Sequence, residues 1–200
     1  MNETEIMKNK TAFLDLARYA ISRPGIDKLL AWLETTDFFV APASTKYHEP
    51  YRGGLCEHSL AVYQKMSALN MTAPPSAQMS DESVTLCSLF HDTCKAAFYK
   101  ESTRNVKNET TGQWEKVPFY QVEDSFPYGH GEKSVFLLER FIRLTTLEAV
   151  AIRWHMGGWD EACRGGSYAC GKAFEMFPAA LNLHLADLQA TYQKEESTCK

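Results

Sequence analysis

Leu55-Cys56-Glu57-His58-Ser59-Leu60-Ala61-Val62-Tyr63-Gln64-Lys65-Met66-Ser67-Ala68-Leu69 is the stretch from which the rest of the chain is read. Positions 55, 58, 62, 66 and 69 fall on one face at helical spacing, which predicts an amphipathic helix of about four turns. The second position of that apolar stripe is a histidine. Ahead of the helix, Arg52-Gly53-Gly54 closes an irregular segment that begins at Phe38. Behind it, Pro74-Pro75 breaks the helix within residues 70–80. Ser80 or Asp81 then caps a further helix that runs to about residue 96. Upstream, residues 4–22 and 26–35 read as two helices separated by Ser22-Arg23-Pro24-Gly25. Downstream, residues 97–122 turn aromatic and β-branched around Asn108-Glu109-Thr110-Thr111-Gly112, the pattern of a β-hairpin. Helical patterns return at about 130–143, 146–156 and 178–193, with a glycine-rich segment between the last two. The expected fold is all-α with a small β-hairpin insertion over 97–122. It forms a single domain over 1–200, with N-terminal helices over 1–37 and a core over 38–193.

Composition sets outer limits on function. Of 200 residues, 44% are hydrophobic and 23% charged, close to the globular average, which excludes a disordered chain, a collagen-like repeat and a coiled coil. No apolar run approaches the ~18 residues of a membrane span, so no membrane partner is expected. The opening residues lack the apolar core of a secretory signal, and a cytoplasmic location is the expectation. A net charge of −4 argues against a duplex-DNA binder, whose surface is usually basic. The six cysteines, at 56, 87, 94, 163, 170 and 199, contain no C-x-x-C pair and read as reduced thiols. The N-terminal helices are candidates for packing within the chain or for building a homodimer.

The chemistry is concentrated in the histidines. His58 lies on the 55/58/62 stripe, and His91 on 84/87/91/94 with Asp92 beside it. His130 opens a helix with an inward face at 130/134/137/141. His155 ends the 147/151/155 stripe, and Asp187 continues 180/183/187. Five helices therefore each turn a ligand-type side chain inward. A single histidine on an apolar face is commonly a hydrogen-bonded core residue. A buried carboxylate is different, because an unpaired charge in the core costs several kcal/mol. Asp92 and Asp187 both interrupt apolar stretches, and Lys95 alone cannot balance two carboxylates. A shared metal ion is the economical solution.

His58, then His91-Asp92, then Asp187 resemble the H…HD…D signature of the HD superfamily of metal-dependent phosphohydrolases. The context sharpens the resemblance. Tyr51-Arg52-Gly53-Gly54-Leu55-Cys56-Glu57-His58-Ser59-Leu60, Leu89-Phe90-His91-Asp92-Thr93-Cys94-Lys95, Gly129-His130 and Leu185-Ala186-Asp187 look like the HD domain of bacterial 3′-to-5′ exoribonucleases. The resemblance spans about residues 38–193 and implies a helical HD-domain bundle. By it, His58, His91, Asp92 and Asp187 hold one ion, and His130 and His155, with Asp92 bridging, hold a second. Such nitrogen and carboxylate ligands suit Mn, Fe, Co, Ni, Zn or Mg, so one or two divalent metal ions are expected. Met156 stands where relatives with a fuller dinuclear site often carry another histidine. If the second ion is absent, His130 and His155 bind substrate phosphate instead.

The activity implied is hydrolysis of a phosphate ester of a nucleotide or short oligonucleotide by metal-activated water. Asp92 orients the water. Lys95, one helical turn beyond His91, stabilises the phosphoryl group. Arg52, with the Gly53-Gly54 backbone at a helix N-terminus, offers an anion site. Arg104 on the hairpin and Tyr168 in the glycine-rich segment are further substrate-binding candidates. That segment reads as a mobile flap or a connecting loop. Tyr47 and His48 read as parts of a structural loop near the site mouth, and His184 as a core residue or a support for the site. The negative charge favours a small phosphorylated substrate over long RNA. The same six-residue set also resembles diiron HD-type oxygenases that cleave C–C or C–P bonds with O2. The third reading is a catalytically silent ligand-binding HD protein.

Overall fold

Asn2 opens the first helix through a capping box with Glu5, each side chain accepting the other's backbone N–H. This helix, α1 (Glu3–Ala20), turns Ile6, Phe13, Leu14 and Ala17 inward. After the break at Arg23-Pro24-Gly25 comes α2 (Ile26–Glu34), with Leu29, Leu30 and Leu33 buried. The computed structural model describes residues 1–193, so Cys199 lies outside the described residues. The cysteines within them, at 56, 87, 94, 163 and 170, are free thiols. Phe13 meets Phe38, Phe39 and Phe90 edge to face at 5.4 Å each, a favoured aromatic geometry. Trp32 of α2 stacks on Phe141 at 5.3 Å. The N-terminal helices thus share one hydrophobic core with the rest of the chain.

Helix α3 (Gly54–Thr72) follows the irregular segment. Its far end is closed by Asn70, whose amide donates to the Met79 carbonyl at 3.0 Å and accepts the Met79 N–H at 2.8 Å. Ser80 caps α4 (Asp81–Phe90) by accepting the Ser83 N–H. The expected hairpin is present as antiparallel β1 (Tyr99–Lys107) and β2 (Trp114–Val122), in register from Tyr99 opposite Val122 to Lys107 opposite Trp114. Asn108 shapes its turn by accepting the N–H groups of Thr110 and Thr111. Beyond it lie α5 (His130–Glu139) and α6 (Thr146–Trp154). Short α7 (Glu161–Arg164) and α8 (Ala169–Met176) precede α9 (Pro178–Tyr192). The architecture is all-α with one small β-hairpin. Among the described residues no helix is long and apolar enough to cross a membrane.

Three sequence expectations are corrected. The helix expected to reach residue 96 ends at Phe90, and the chain turns at His91-Asp92 into a 3-10 turn at Thr93–Lys95. Side chains replace the lost helical bonds: Thr93 Oγ1 donates to the Phe90 carbonyl, and the Cys94 N–H donates to Ser134 Oγ. Helix α5 stops at Glu139 rather than 143, where Glu139 turns to accept the Leu144 N–H. The glycine-rich segment is not a featureless loop but carries α7 and α8.

Packing places the inward faces together. Helix α3 packs between α4 and α9, α9 also packs on α6, and α5 on α6. Helix α9 buries Ala179, Ala180, Leu183, Ala186 and Ala190, and the four alanines let it lie close against its neighbours. A buried ion pair ties the N-terminal helices to this bundle. Glu148 of α6, fully buried, accepts from both Arg23 terminal nitrogens at 2.6 Å, from Ser83 Oγ at 2.6 Å and from the Thr145 N–H at 2.7 Å. Burial pushes the Glu148 carboxyl up, but these donors, Arg23 foremost, hold it at about 2. Arg23→Ala leaves that carboxylate without its cation and is expected to destabilise the fold by about 3 kcal/mol in urea unfolding. Because the folded pKa lies below the unfolded value of 4.5, the Glu148 contribution is present above pH 4.5 and is lost as pH falls toward 2.

Candidate metal centre

The inward residues of five helices converge as the sequence implies. His58 projects from the second turn of α3, His91 and Asp92 from the turn after α4, and His130 from the start of α5. His155 lies just past α6, and Asp187 on α9. The imidazoles form an arc, with centroid spacings of 4.7 Å for His48–His58, 5.5 Å for His58–His91, 4.9 Å for His91–His155 and 5.1 Å for His155–His130. The sixth histidine of the chain, His184, donates Nδ1–H to the His155 carbonyl at 2.6 Å. Its ring packs so tightly on Gly157 that any Cβ there would lie 2.4 Å away, and the φ of +53° at Gly157 also favours glycine.

Asp92 sits at the centre of this arc. Its Oδ1 lies 2.8 Å from His130 Nε2 and 3.5 Å from His155 Nε2. Its Oδ2 lies 2.7 Å from Lys95 Nζ and 3.4 Å from His91 Nε2. Asp187 Oδ1 lies 3.0 Å from His58 Nε2. Burial pushes both carboxyls up, yet their cationic and imidazole neighbours hold both well below the usual range: Lys95, His91 and His130 around Asp92, and His58 beside Asp187. Both are therefore charged.

Tautomers decide what the histidines offer. His91 and His155 place Nδ1 2.8 Å and 2.7 Å from the carbonyls of Ser88 and Ile152, three residues back. Each donates Nδ1–H there, so in the neutral ring, the form that binds a metal, Nε2 carries the lone pair. Both Nε2 atoms are buried without a hydrogen-bond partner among the described residues, and both face the Asp92 carboxylate. Two buried ring nitrogens facing a carboxylate call for a cation between them, a proton or a metal ion. Metal-binding histidines characteristically give their other N–H to a backbone carbonyl or carboxylate in this way. His58-His91-Asp92 and His91-His155-Asp187 each bring three ligand atoms within 4.8 Å of one another, so these buried groups can hold a metal ion. Cys94 lies 3.5 Å from His130, but burial and Asp92 push its thiol up to about 12, so it remains protonated.

Lys95 reaches the site by another route than the one its spacing implies. The helix has already ended, and Lys95 pairs with Asp92 across the 3-10 turn while also donating to the Ala43 carbonyl at 2.6 Å. Burial lowers its affinity for a proton, but Asp92 more than compensates and keeps it charged. A cavity of about 470 Å³ opens over Asp92, Lys95, His130 and Asp187, with His48 and Tyr99 in its wall. A second cavity of about 590 Å³ meets it at His130, Met156, Trp159 and Arg164. A wider hollow of about 660 Å³, outside α5 and α6, contains no histidine.

Three substrate-binding expectations place residues away from these cavities. Arg52 is paired with Glu3 on the surface. The expected anion site beside it is already used, since the N–H groups of Gly53, Gly54 and Leu55 donate to the carbonyls of Val40, Tyr51 and Ala41. Arg104 lies out on the hairpin over the Phe119 ring, and Tyr168 is 92% exposed ahead of α8. Of the hairpin, only Tyr99 at its base lines the main cavity.

Glu49 is the residue that sequence reasoning missed. It is buried, with Oε2 3.7 Å from His58 Nδ1, the ring nitrogen that faces away from Asp187. Its φ of +35° lies in the left-handed region, which a non-glycine residue adopts at a cost of about 1–3 kcal/mol. Gly54 makes the close approach feasible, because a Cβ there would lie 2.2 Å from the Glu49 carbonyl oxygen. No periodicity marks a loop glutamate, and in the mixed polar and aromatic segment around it nothing sets Glu49 apart. Glu49 thus sets a carboxylate close to the second ring nitrogen of His58. Glu49→Gln is expected to weaken metal binding by ~10–100-fold in chelator competition, with the circular dichroism spectrum unchanged. Comparison with protein-family models, curated proteins and solved structures returned no match, so the chemistry of the centre rests on its own geometry.

Proposed function

We propose that this chain is a divalent-metal-dependent phosphohydrolase that cleaves a phosphate ester of a nucleotide or short oligonucleotide. One observation carries the reading: two buried histidine Nε2 atoms, their rings fixed by backbone hydrogen bonds at Nδ1, aimed at a charged carboxylate. His58, His91, Asp92 and Asp187 would hold one ion, with His130 and His155 next to Asp92 for a second. When bound, such an ion acidifies water and draws charge from a phosphoryl oxygen.

The remaining roles belong to the chain. Asp92 has one oxygen toward His130 and His155 and the other toward His91 and Lys95, so it can orient a water between the two sides. Lys95 has three N–H donors, two of them committed to Asp92 and Ala43; the third serves a ligand in the cavity that Lys95 lines. It stands where charge develops on a phosphoryl group in transit. Arg164 and Trp159, shared by the two cavities, offer a cation and an aromatic face to the rest of a nucleotide. At −4 net charge, a long polyanion is a poorer fit than a small ester.

The deciding measurement is metal content of protein purified without added metal or chelator, by elemental analysis with EPR, followed by a panel of nucleotide esters. One or two bound divalent ions and phosphate-ester hydrolysis are expected. Asp92→Asn should abolish turnover, and Lys95→Ala should lower kcat by ~10²–10³-fold, as for loss of an oxyanion donor. Two irons with a mixed-valence signal would transfer the assignment to the O2-dependent C–C or C–P cleavage chemistry. Protein that neither holds nor takes up metal would overturn both.

A further inference from the structure

His48 belongs to a loop built with more care than a connection requires. Ser44 Oγ accepts the N–H groups of Tyr47 and His48, each at 2.9 Å, and donates to the His48 carbonyl at 2.8 Å. Both backbone polar groups of His48 therefore end on one hydroxyl. The loop closes where the Ala43 N–H donates to the Glu49 carbonyl at 3.1 Å. Its start is held by the site itself, since the Ala43 carbonyl accepts from Lys95 Nζ at 2.6 Å and from the Tyr99 hydroxyl at 3.2 Å. Tyr47 points outward and is 81% exposed, whereas the next ring, His48, lies 4.7 Å from His58 in the cavity wall. There His48 Nε2 is buried with no hydrogen-bond partner among the described residues. A buried polar atom on a rigid mount, facing a cavity, is a group awaiting a ligand.

We infer that His48 is a substrate-contacting residue whose Nε2–H donates to a non-bridging oxygen of the phosphoryl group, from the His58 end of the arc. The inference rests on the phosphohydrolase reading for the identity of the anion. His48, Lys95 and His130 line the same cavity, so a tetrahedral anion seated there meets donors on more than one side. His48, Glu49 and His58 also bring three ligand atoms within 4.8 Å of one another, so the test must separate a phosphate contact from a metal ligand.

The test uses metal-loaded wild-type protein, His48→Ala and His48→Gln, with inorganic phosphate as the probe. Calorimetry measures phosphate affinity, elemental analysis measures metal stoichiometry, and the ester panel measures kcat and KM. Loss of one hydrogen bond to an anion is expected to raise the phosphate Kd about tenfold or more in the alanine variant. The glutamine variant, similar in size and still a donor, should recover part of that loss, and metal stoichiometry should not change in either. A fall in bound metal would make His48 a metal ligand and overturn the inference. Unchanged phosphate affinity in both variants would leave His48 a loop residue and also overturn it, as would a wild-type protein that binds no phosphate. If wild-type protein binds phosphate but hydrolyses no ester, the phosphohydrolase reading fails, while the binding comparison still decides the role of His48.

Discussion

A carboxylate with 2% exposure lies where α4 ends, and much of the surrounding structure answers to its charge. Asp92 cannot be left alone in an apolar interior, and the chain surrounds it on every side. Lys95 supplies one cation, His130 one donor, and His91 and His155 turn buried, unpartnered Nε2 atoms toward it. The end of the helix at Phe90 follows from the same constraint. A continued α-helix would set Lys95 beside His91, whereas the 3-10 turn brings it onto Asp92. The Cys94 N–H, released from the helical ladder, finds Ser134 on α5, the helix that carries His130. One buried charge therefore couples the end of one helix to the placement of another.

The supports of the centre reach outward by short hydrogen-bonded steps. Lys95 extends past Asp92 to Ala43 and so anchors the loop that carries His48 and Glu49. His184 grips the carbonyl of His155 and packs on Gly157, which sets the direction of the chain into the glycine-rich segment. That segment is tied down again at Asp160, which caps α7 and pairs with Arg153 on α6 at 2.8 Å. The result is a wall with two ends, one of backbone-pinned loop and one of short helices, on either side of the arc.

Between these ends the two cavities meet at His130, Met156, Trp159 and Arg164. A ligand centred on Asp92 has room on both sides of that line. The wall near Asp92 is polar and charged; beyond the line, Phe98 provides aromatic surface and Lys133 a cation paired with Asp124. Two adjoining spaces thus flank the buried carboxylate, with Met156 at the boundary.

What could be read from the residues alone was whatever is written in periodicity and burial cost. The stripes through His58, His91, His130, His155 and Asp187 record which side of each helix faces inward, and two charged residues on such stripes demand a partner. The hairpin was legible from its own turn and β-branched runs. Helix ends were less so, because α4 stops where tertiary partners, Ser134 and Asp92, outbid the next helical bond. The irregular segment carried no repeat at all, so only the folded chain could set Glu49 against His58 and His48 into the cavity. The same folding spent the Gly53-Gly54 N–H groups on the carbonyls of Val40 and Tyr51, drew Arg52 to Glu3, and left Arg104 and Tyr168 outside. A helix announces its inward face within a few residues, whereas a loop's partners come from distant parts of the chain and are chosen only when the bundle closes.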